Sequence, residues 1–286
     1  MRLETDAILD EDFPNQPARG DKMAPAPKID NPIVARMRAG EAALGMSVRL
    51  GRSGDIARIA KATGHDFIFI DMQHSLFSLE TVGHIAQTAL GCGISPLARV
   101  LGVDDPVTPL LLDNGVTGIV FPDVGTVAQA RRAVERAKFP PLGKRSVAGG
   151  YPQFDFRPVA VADAVAALNQ AALVVCMIEN LEGLANVEAI AAVDGVDVIH
   201  VGANDLLTAM GKPGKFGDPE IMSAIDRVIA AALAHGKFAG VGGDRHVERQ
   251  VGFIRKGARF LTTQTDIGFL VAEASRVTGE LRRALG

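Results

Sequence analysis

Val174-Val175-Cys176-Met177-Ile178 runs straight into Glu179, and Val196-Asp197-Val198-Ile199-His200-Val201 runs through Gly202-Ala203-Asn204 into Asp205. Both runs are short and rich in β-branched residues, and each precedes a stretch with helical spacing, so both read as strands that end near a carboxylate. In a parallel α/β fold, consecutive strand ends sit side by side on the face where ligands bind. Two carboxylates there suit a hard divalent cation. Position alone also allows a plainer reading, in which Glu179 and Asp205 only cap the helices that follow.

The same rhythm extends in both directions. The expected strands are Leu44–Val48, Phe67–Asp71, Ser95–Val100, Gly118–Phe121, Leu173–Ile178, Val196–Val201, Phe238–Val241 and Ala258–Thr262. Helical patterns fall between and after them at Asp55–Thr63, Ser78–Gly91, Val127–Lys138, Leu181–Ala192, Glu220–His235, Arg245–Lys256 and Ile267–Ala284. Alternating β and α segments predict a parallel sheet with crossover helices. About eight such units close a (β/α)₈ TIM barrel. A doubly wound open sheet is the competing architecture, but no Gly-x-Gly-x-x-Gly follows the first strand. Residues 1–31 are polar, acidic and punctuated by four prolines, and read as a flexible N-terminal extension to a barrel domain spanning 32–286. Pro140–Pro158 is a long connection, and loops of that length are often functional.

The composition narrows the class. The 286 residues are 48% hydrophobic, enough for a large core, and the net charge of -3 comes with acids and bases mixed along the chain. No basic stripe points to nucleic acid, and with aromatics at only 5% there is little for bases to stack on. No apolar run approaches the ~20 residues that span a bilayer. Two cysteines, Cys92 and Cys176, argue against a disulfide framework and lead to the expectation of a reducing cytoplasm.

If the fold is a barrel, polar residues at strand ends carry the chemistry. His74 follows Asp71 by three residues, and a histidine titrating near neutrality serves as general base or acid, with the aspartate placed to orient its ring. Alternatively, His74 is a loop residue held for structural reasons. Arg99 ends an apolar strand, and its guanidinium needs an anion: a substrate carboxylate or enolate, or else Asp104 or Asp123. No lysine ends a strand. This disfavours an imine-forming lysine and favours an enolate stabilised by a metal.

The segments Phe69-Ile70-Asp71-Met72-Gln73-His74-Ser75, Pro96-Leu97-Ala98-Arg99-Val100, Pro140-Pro141-Leu142-Gly143-Lys144-Arg145, Ile178-Glu179-Asn180 and Val201-Gly202-Ala203-Asn204-Asp205-Leu206 occur in this order. Together they resemble the HpcH/HpaI aldolase family from about Asn31 to the C-terminus. The resemblance implies a (β/α)₈ barrel and a metal-dependent aldolase that makes or breaks the C3–C4 bond of a 4-hydroxy-2-oxo acid. Pyruvate and an aldehyde are the products, with Mg²⁺, Mn²⁺ or Co²⁺ as cofactor. It also implies a homo-oligomer, a hexamer built as a trimer of dimers in which the last helix packs on a neighbour.

Residue by residue, the resemblance implies that Glu179 and Asp205 hold the metal. It makes His74 the base, Asp71 the acid supporting it, and Arg99 the contact to the enolate. The backbone of Gly202 and Ala203 would hold the pyruvate carboxylate, and Gln73 adjoins the substrate. Two positions depart from the family pattern: Gln73 stands where glutamate is usual, and Met177 where glutamine is common. These departures keep two other readings in view, enolate chemistry on oxaloacetate and a non-catalytic pyruvate-binding barrel. Arg145 and Tyr151 in the long loop are candidates for selecting the aldehyde.

Overall fold

The computed structural model describes residues 28–29 and 31–286. Eight parallel strands close a barrel in chain order: β1 (Ala43–Val48), β2 (Phe67–Asp71), β3 (Ser95–Arg99), β4 (Gly118–Phe121), β5 (Leu173–Ile178), β6 (Val198–Gly202), β7 (Phe238–Gly242) and β8 (Ala258–Thr265), with β8 pairing back onto β1. The helices are α1 (Pro32–Arg38), α2 (Asp55–Ala62), α3 (Leu79–Cys92), α4 (Thr108–Asp113), α5 (Val127–Ala137), α6 (Val161–Ala171), α7 (Leu181–Ala185), α8 (Val187–Ala191), α9 (Ala203–Ala209), α10 (Pro219–Ala234), α11 (Val247–Arg255) and α12 (Asp266–Leu285). The TIM barrel is thus the architecture, and the open sheet is excluded.

The strands are buried on both faces, which is why they read as continuous apolar runs rather than alternating ones. Alternate residues still go to different places. Phe67, Phe69, Leu97, Val175, Met177, Val198 and Phe260 fill the barrel interior, with Phe67 and Phe260 stacked at 4.5 Å between ring centroids. Ile68, Ile70, Ala98, Val174, Cys176 and Ile199 face the surrounding helices. A Cβ on Gly45 would run into the Phe67 ring, so that layer needs a glycine. Following the inward set toward the strand ends leads from Phe69 to Asp71, from Leu97 to Arg99, from Met177 to Glu179 and from Val198 to His200. The period of two therefore aims the polar residues at one mouth.

The opposite end of the barrel is plugged by α1, whose Ile33, Val34 and Met37 are buried with the interior layer. Asn31 is buried as well: its Nδ2 donates to the Ala171 carbonyl at 2.6 Å and its Oδ1 accepts from Ser95 at 2.6 Å. Asn31 is therefore part of the barrel rather than of an extension. The rest of the expected extension, residues 1–27 and 30, lies outside the described residues.

Helices α1, α4, α6 and α9 lie outside the expected set, and three expected segments differ from their sequence reading for a local reason. The stretch Leu181–Ala192 is two short helices divided at Asn186, whose Nδ2 donates to the Gly125 carbonyl at 2.8 Å. β6 starts at Val198, because Asp197 turns its carboxylate to Val174 N at 2.8 Å and to Lys138 Nζ at 3.2 Å. β8 continues to Thr265 and delivers Asp266 into the first turn of α12.

Asp266 is buried, and its two oxygens accept from the backbone N–H groups of Arg49, Leu50, Gly51 and Ile267 at 2.8–3.0 Å. The loop after β1 is thereby tied to the start of the last helix. Hydrogen bonds to a charged group contribute about 1.5–3 kcal/mol each before non-additivity, so Asp266→Ala should destabilise the fold by about 3 kcal/mol. Urea denaturation would measure this, and a change below about 1 kcal/mol would show that the loop is held by other contacts.

Candidate active site

The inward-facing residues open into a cavity of about 340 Å³ at the C-terminal mouth of the barrel. Asp71, His74, Arg99, Met177, Glu179, Gly202, Ala203 and Asp205 all line it. Of the residues expected in the site, Gln73, Arg145 and Tyr151 are absent from the lining, and the Gln73 Oε1 is buried without a hydrogen-bond partner. A second cavity of about 310 Å³ lies between α3 and α4 beside Glu80, His84 and Asn114, away from the strand ends.

Asp71 and Arg99 are cross-strand partners in the β2–β3 register. Arg99 Nε donates to Asp71 Oδ1 at 3.0 Å and Nη2 to Oδ2 at 2.8 Å, a bidentate pair that is almost fully buried. The anion that Arg99 needs is therefore Asp71, not Asp104 or Asp123. This also corrects the role given to Asp71. Its Oδ1 accepts from the backbone N–H of His74 at 3.2 Å, so it fixes the His74 main chain and does not hold the ring. Arg99 Nη1 is left facing the cavity, with Met177 Sδ at 4.0 Å as its contact.

Glu179 follows β5 and is buried. Its Oε1 accepts from Asp123 N at 2.8 Å, while Oε2 is buried with no partner. Burial pushes its carboxyl up to about 7, partly offset by the Asp123 N–H. Asp205 is not at a strand end but in the first turn of α9, exposed at the mouth, and its charge further disfavours ionisation of Glu179. A Cβ on Gly202 would collide with Glu179 Oε2 and crowd Met177, so the backbone at the start of α9 can lie against the carboxylate only because the residue is glycine.

A raised carboxyl has a stability consequence. In the unfolded chain the group ionises near 4.5, whereas in the fold it stays protonated up to about 7. Between those values the folded state holds the proton and the unfolded state does not, so stability is full below 4.5 and is lost as pH rises through 7. In the presence of a chelator, wild-type stability relative to Glu179→Gln should fall across that window by up to about 1.4 kcal/mol per pH unit. Melting curves of both proteins through the window measure it, and parallel profiles would contradict it.

His200 points inward beneath the cavity, between Phe69 and Phe260. Burial, together with the Arg99 cation, pushes its pKa down to about 3, so the ring stays neutral. Arg145 and Tyr151 are not at the mouth. Arg145 pairs with Asp113 at 2.6 Å over the Phe139 ring, and the Tyr151 hydroxyl accepts from Ala148 N at 2.9 Å, so both anchor the long loop.

Sequence reasoning passed over two arginines of the cavity, Arg49 just after β1 and Arg245 after β7. The signal was available, since both follow a strand as Glu179 does. Arg49 directly follows Val48, the last residue of β1, whereas Arg245 comes after the run Gly242-Gly243-Asp244, which reads as an ordinary turn.

Comparison with known proteins gives the family. Residues 49–272 match the family model described as HpcH/HpaI aldolase/citrate lyase. A 4-hydroxy-4-methyl-2-oxoglutarate aldolase of Chaetomium globosum is 40% identical over 217 residues, 74% of this chain and 80% of that protein. A hydroxypyruvate/pyruvate aldolase of Cupriavidus necator is 31% identical over 255 residues, 86% of this chain and 90% of that protein. Among solved structures, an HpcH/HpaI aldolase of Desulfitobacterium hafniense has a TM-score of 0.83 at 28% identity, covering 87% of this chain and 96% of that one. The family match covers most of the barrel and every residue of the cavity except Ser47, and the chain belongs to the HpcH/HpaI aldolase/citrate lyase family.

Proposed function

We propose that the chain is a carbon–carbon lyase that cleaves a 4-hydroxy-2-oxo acid between C3 and C4 to give pyruvate and a carbonyl compound. The observation that carries this reading is the pairing of two opposite features in one cavity: a buried Arg99 whose Nη1 has the weak acceptor Met177 Sδ beside it, and a buried Glu179 oxygen without a partner. Family membership and the named aldolase relatives support the same chemistry.

An orphaned carboxylate oxygen beside a second carboxylate fits a divalent cation better than it fits any group of the protein. Among the described residues no cluster of three acidic, histidine or cysteine side chains could complete a cage. Glu179 and Asp205 would therefore hold Mg²⁺, Mn²⁺ or Co²⁺ with water or substrate oxygens making up the set. When bound, the cation supplies Lewis-acid stabilisation of the enolate oxygen.

The remaining work falls to the protein. Arg99, fixed by Asp71, presents Nη1 where the 2-oxo oxygen becomes negative, and it needs no reorganisation to do so. The N–H groups at the start of α9, opened by Gly202 and Ala203, face the carboxylate end of the substrate. His74 accepts the proton of the 4-hydroxyl. The C3–C4 bond then breaks, its electron pair forming the C2–C3 double bond as the carbonyl pair moves to oxygen, and C4 leaves as a carbonyl. Return of the proton to C3 gives pyruvate.

One chain leaves much of α12 uncovered: Phe269, Leu270, Val271, Val277 and Leu281 are exposed along it. That face supports assembly through the last helix, as in a hexamer. No described helix is long and apolar enough to cross a membrane, which is compatible with a cytoplasmic enzyme. A panel of 4-hydroxy-2-oxo acids tested for pyruvate release with each cation is the direct test. Release that stops with EDTA is expected, and full activity in EDTA would refute the metal-assisted reading.

A further inference from the structure

The loop after β4 meets the end of β5 through a left-handed residue. Phe121 ends β4 opposite Cys176, and Pro122 has no N–H to donate. Asp123 then has φ +54°. In an extended chain neighbouring N–H groups point to opposite sides, whereas here two consecutive ones reach β5 and its carboxylate. Asp123 N donates to Glu179 Oε1 at 2.8 Å, and Val124 N donates to the Met177 carbonyl at 3.0 Å. The loop is held from the other side by the helices that follow β5. A Cβ on Gly183 would strike the Val124 carbonyl, and Asn186 Nδ2 donates to the Gly125 carbonyl at 2.8 Å.

Glu179 is thereby divided between two neighbours. Its Oε1 is turned to the β4 loop and engaged by an amide. Its Oε2 is turned to the end of β6, where a Cβ on Gly202 would meet it, and it has no partner. One oxygen of the carboxylate is left for a cation. The Asp123 carboxylate is exposed and does not line the cavity, so it acts on Glu179 as a screened neighbouring charge. What the residue supplies is a conformation. Aspartate, asparagine and glycine adopt left-handed backbone readily, and a β-branched residue is strained there.

We infer that Asp123 is a positioning residue for metal selection: its left-handed backbone occupies Glu179 Oε1 and makes that carboxylate a one-oxygen ligand. This rests on the metal-assisted reading above and sets which cations the site admits. Ca²⁺ gathers about six to eight oxygens and often takes a carboxylate through both of its own, whereas Mg²⁺ and Mn²⁺ sit in octahedral sites served by single oxygens and water. Among the described residues no third acidic, histidine or cysteine side chain joins Glu179 and Asp205. With Oε1 engaged, Ca²⁺ is left short of ligands.

The test measures Mn²⁺ affinity of the whole chain from the EPR signal of free Mn²⁺, and Ca²⁺ affinity by competition. Wild type should prefer Mn²⁺. Asp123→Asn and Asp123→Gly should keep that preference, because both residues tolerate the conformation. Asp123→Val should lower the ratio of Mn²⁺ to Ca²⁺ affinity by about tenfold, the worth of one hydrogen bond to a charged group, since the freed Oε1 becomes a second oxygen for Ca²⁺. Asp123→Ala, a milder change, should fall between. An unchanged ratio in the folded Val or Ala protein overturns the inference, and so does an equal loss for both ions, which is what a merely structural role would give. Asn and Gly variants that lose the preference as Val does overturn it too, because the effect would then belong to the charge. Wild type that binds no Mn²⁺, or Glu179→Gln that binds it as wild type does, defeats the metal reading itself. Binding that is lost in Glu179→Gln, with a ratio indifferent to residue 123, defeats the role of Asp123 alone.

Discussion

Glu179→Gln is expected to lower kcat/KM for aldol cleavage by about 10³-fold or more, since Lewis-acid stabilisation contributes several kcal/mol and each 1.4 kcal/mol is tenfold. The substitution is nearly isosteric. A glutamine Oε1 can still accept from Asp123 N, so the connection between β4 and β5 survives. What changes is the buried and unpartnered Oε2, which becomes an amide nitrogen that donates where a cation would need a lone pair. The variant should therefore fold while losing its response to metal. In wild type, Mn²⁺ should raise the melting temperature, because a ligand that binds only the folded state stabilises it by mass action. That shift should vanish in Glu179→Gln. An enzyme within tenfold of wild type, or one still stabilised by Mn²⁺, would remove Glu179 from the site.

His74→Ala should lower kcat by about 10²–10⁴-fold, the usual contribution of a positioned general base. The structure makes this a clean experiment. The His74 ring is exposed at the mouth, and the bonds that locate the residue run through its backbone, from N to Asp71 Oδ1 and from O to Arg49 Nη2. Truncation leaves both in place, so the melting temperature should not change. A loss under about tenfold would mean that another group or a water takes the proton.

The barrel was legible in the sequence because fully buried parallel strands are short apolar runs closed by turn residues, and β2, β4 and β5 begin and end where those runs do. The misplaced boundaries have local causes. Asp197 looks like a strand residue in Val196-Asp197-Val198 but spends its carboxylate on Val174 N and Lys138, and Asn186 divides α7 from α8 by reaching Gly125. Neither partner is near in sequence.

The site was legible to the same depth. Strand-end position pointed to Glu179, His74 and Arg99, all of which line one cavity. The pairing of Arg99 with Asp71 was not legible, because it depends on the β2–β3 register, which no single segment encodes. Arg145 and Tyr151 were chosen because their loop is long, yet the loop is long enough to fold back and bury them. Met177 is more informative in space than in sequence. Where the family commonly has glutamine, this chain places a thioether against Arg99 Nη1, leaving that nitrogen with a weak acceptor and therefore more available to a substrate oxygen.

The claim on which the account depends is that this cavity generates the enolate of pyruvate. The measurement that reads it most directly is incorporation of deuterium into the pyruvate methyl group in D₂O, followed by proton NMR, with the enzyme alone and no carbonyl partner. The account predicts incorporation with Mn²⁺ present, its loss on adding EDTA, and its absence in Glu179→Gln. No incorporation by the folded, metal-supplemented wild-type enzyme would contradict it.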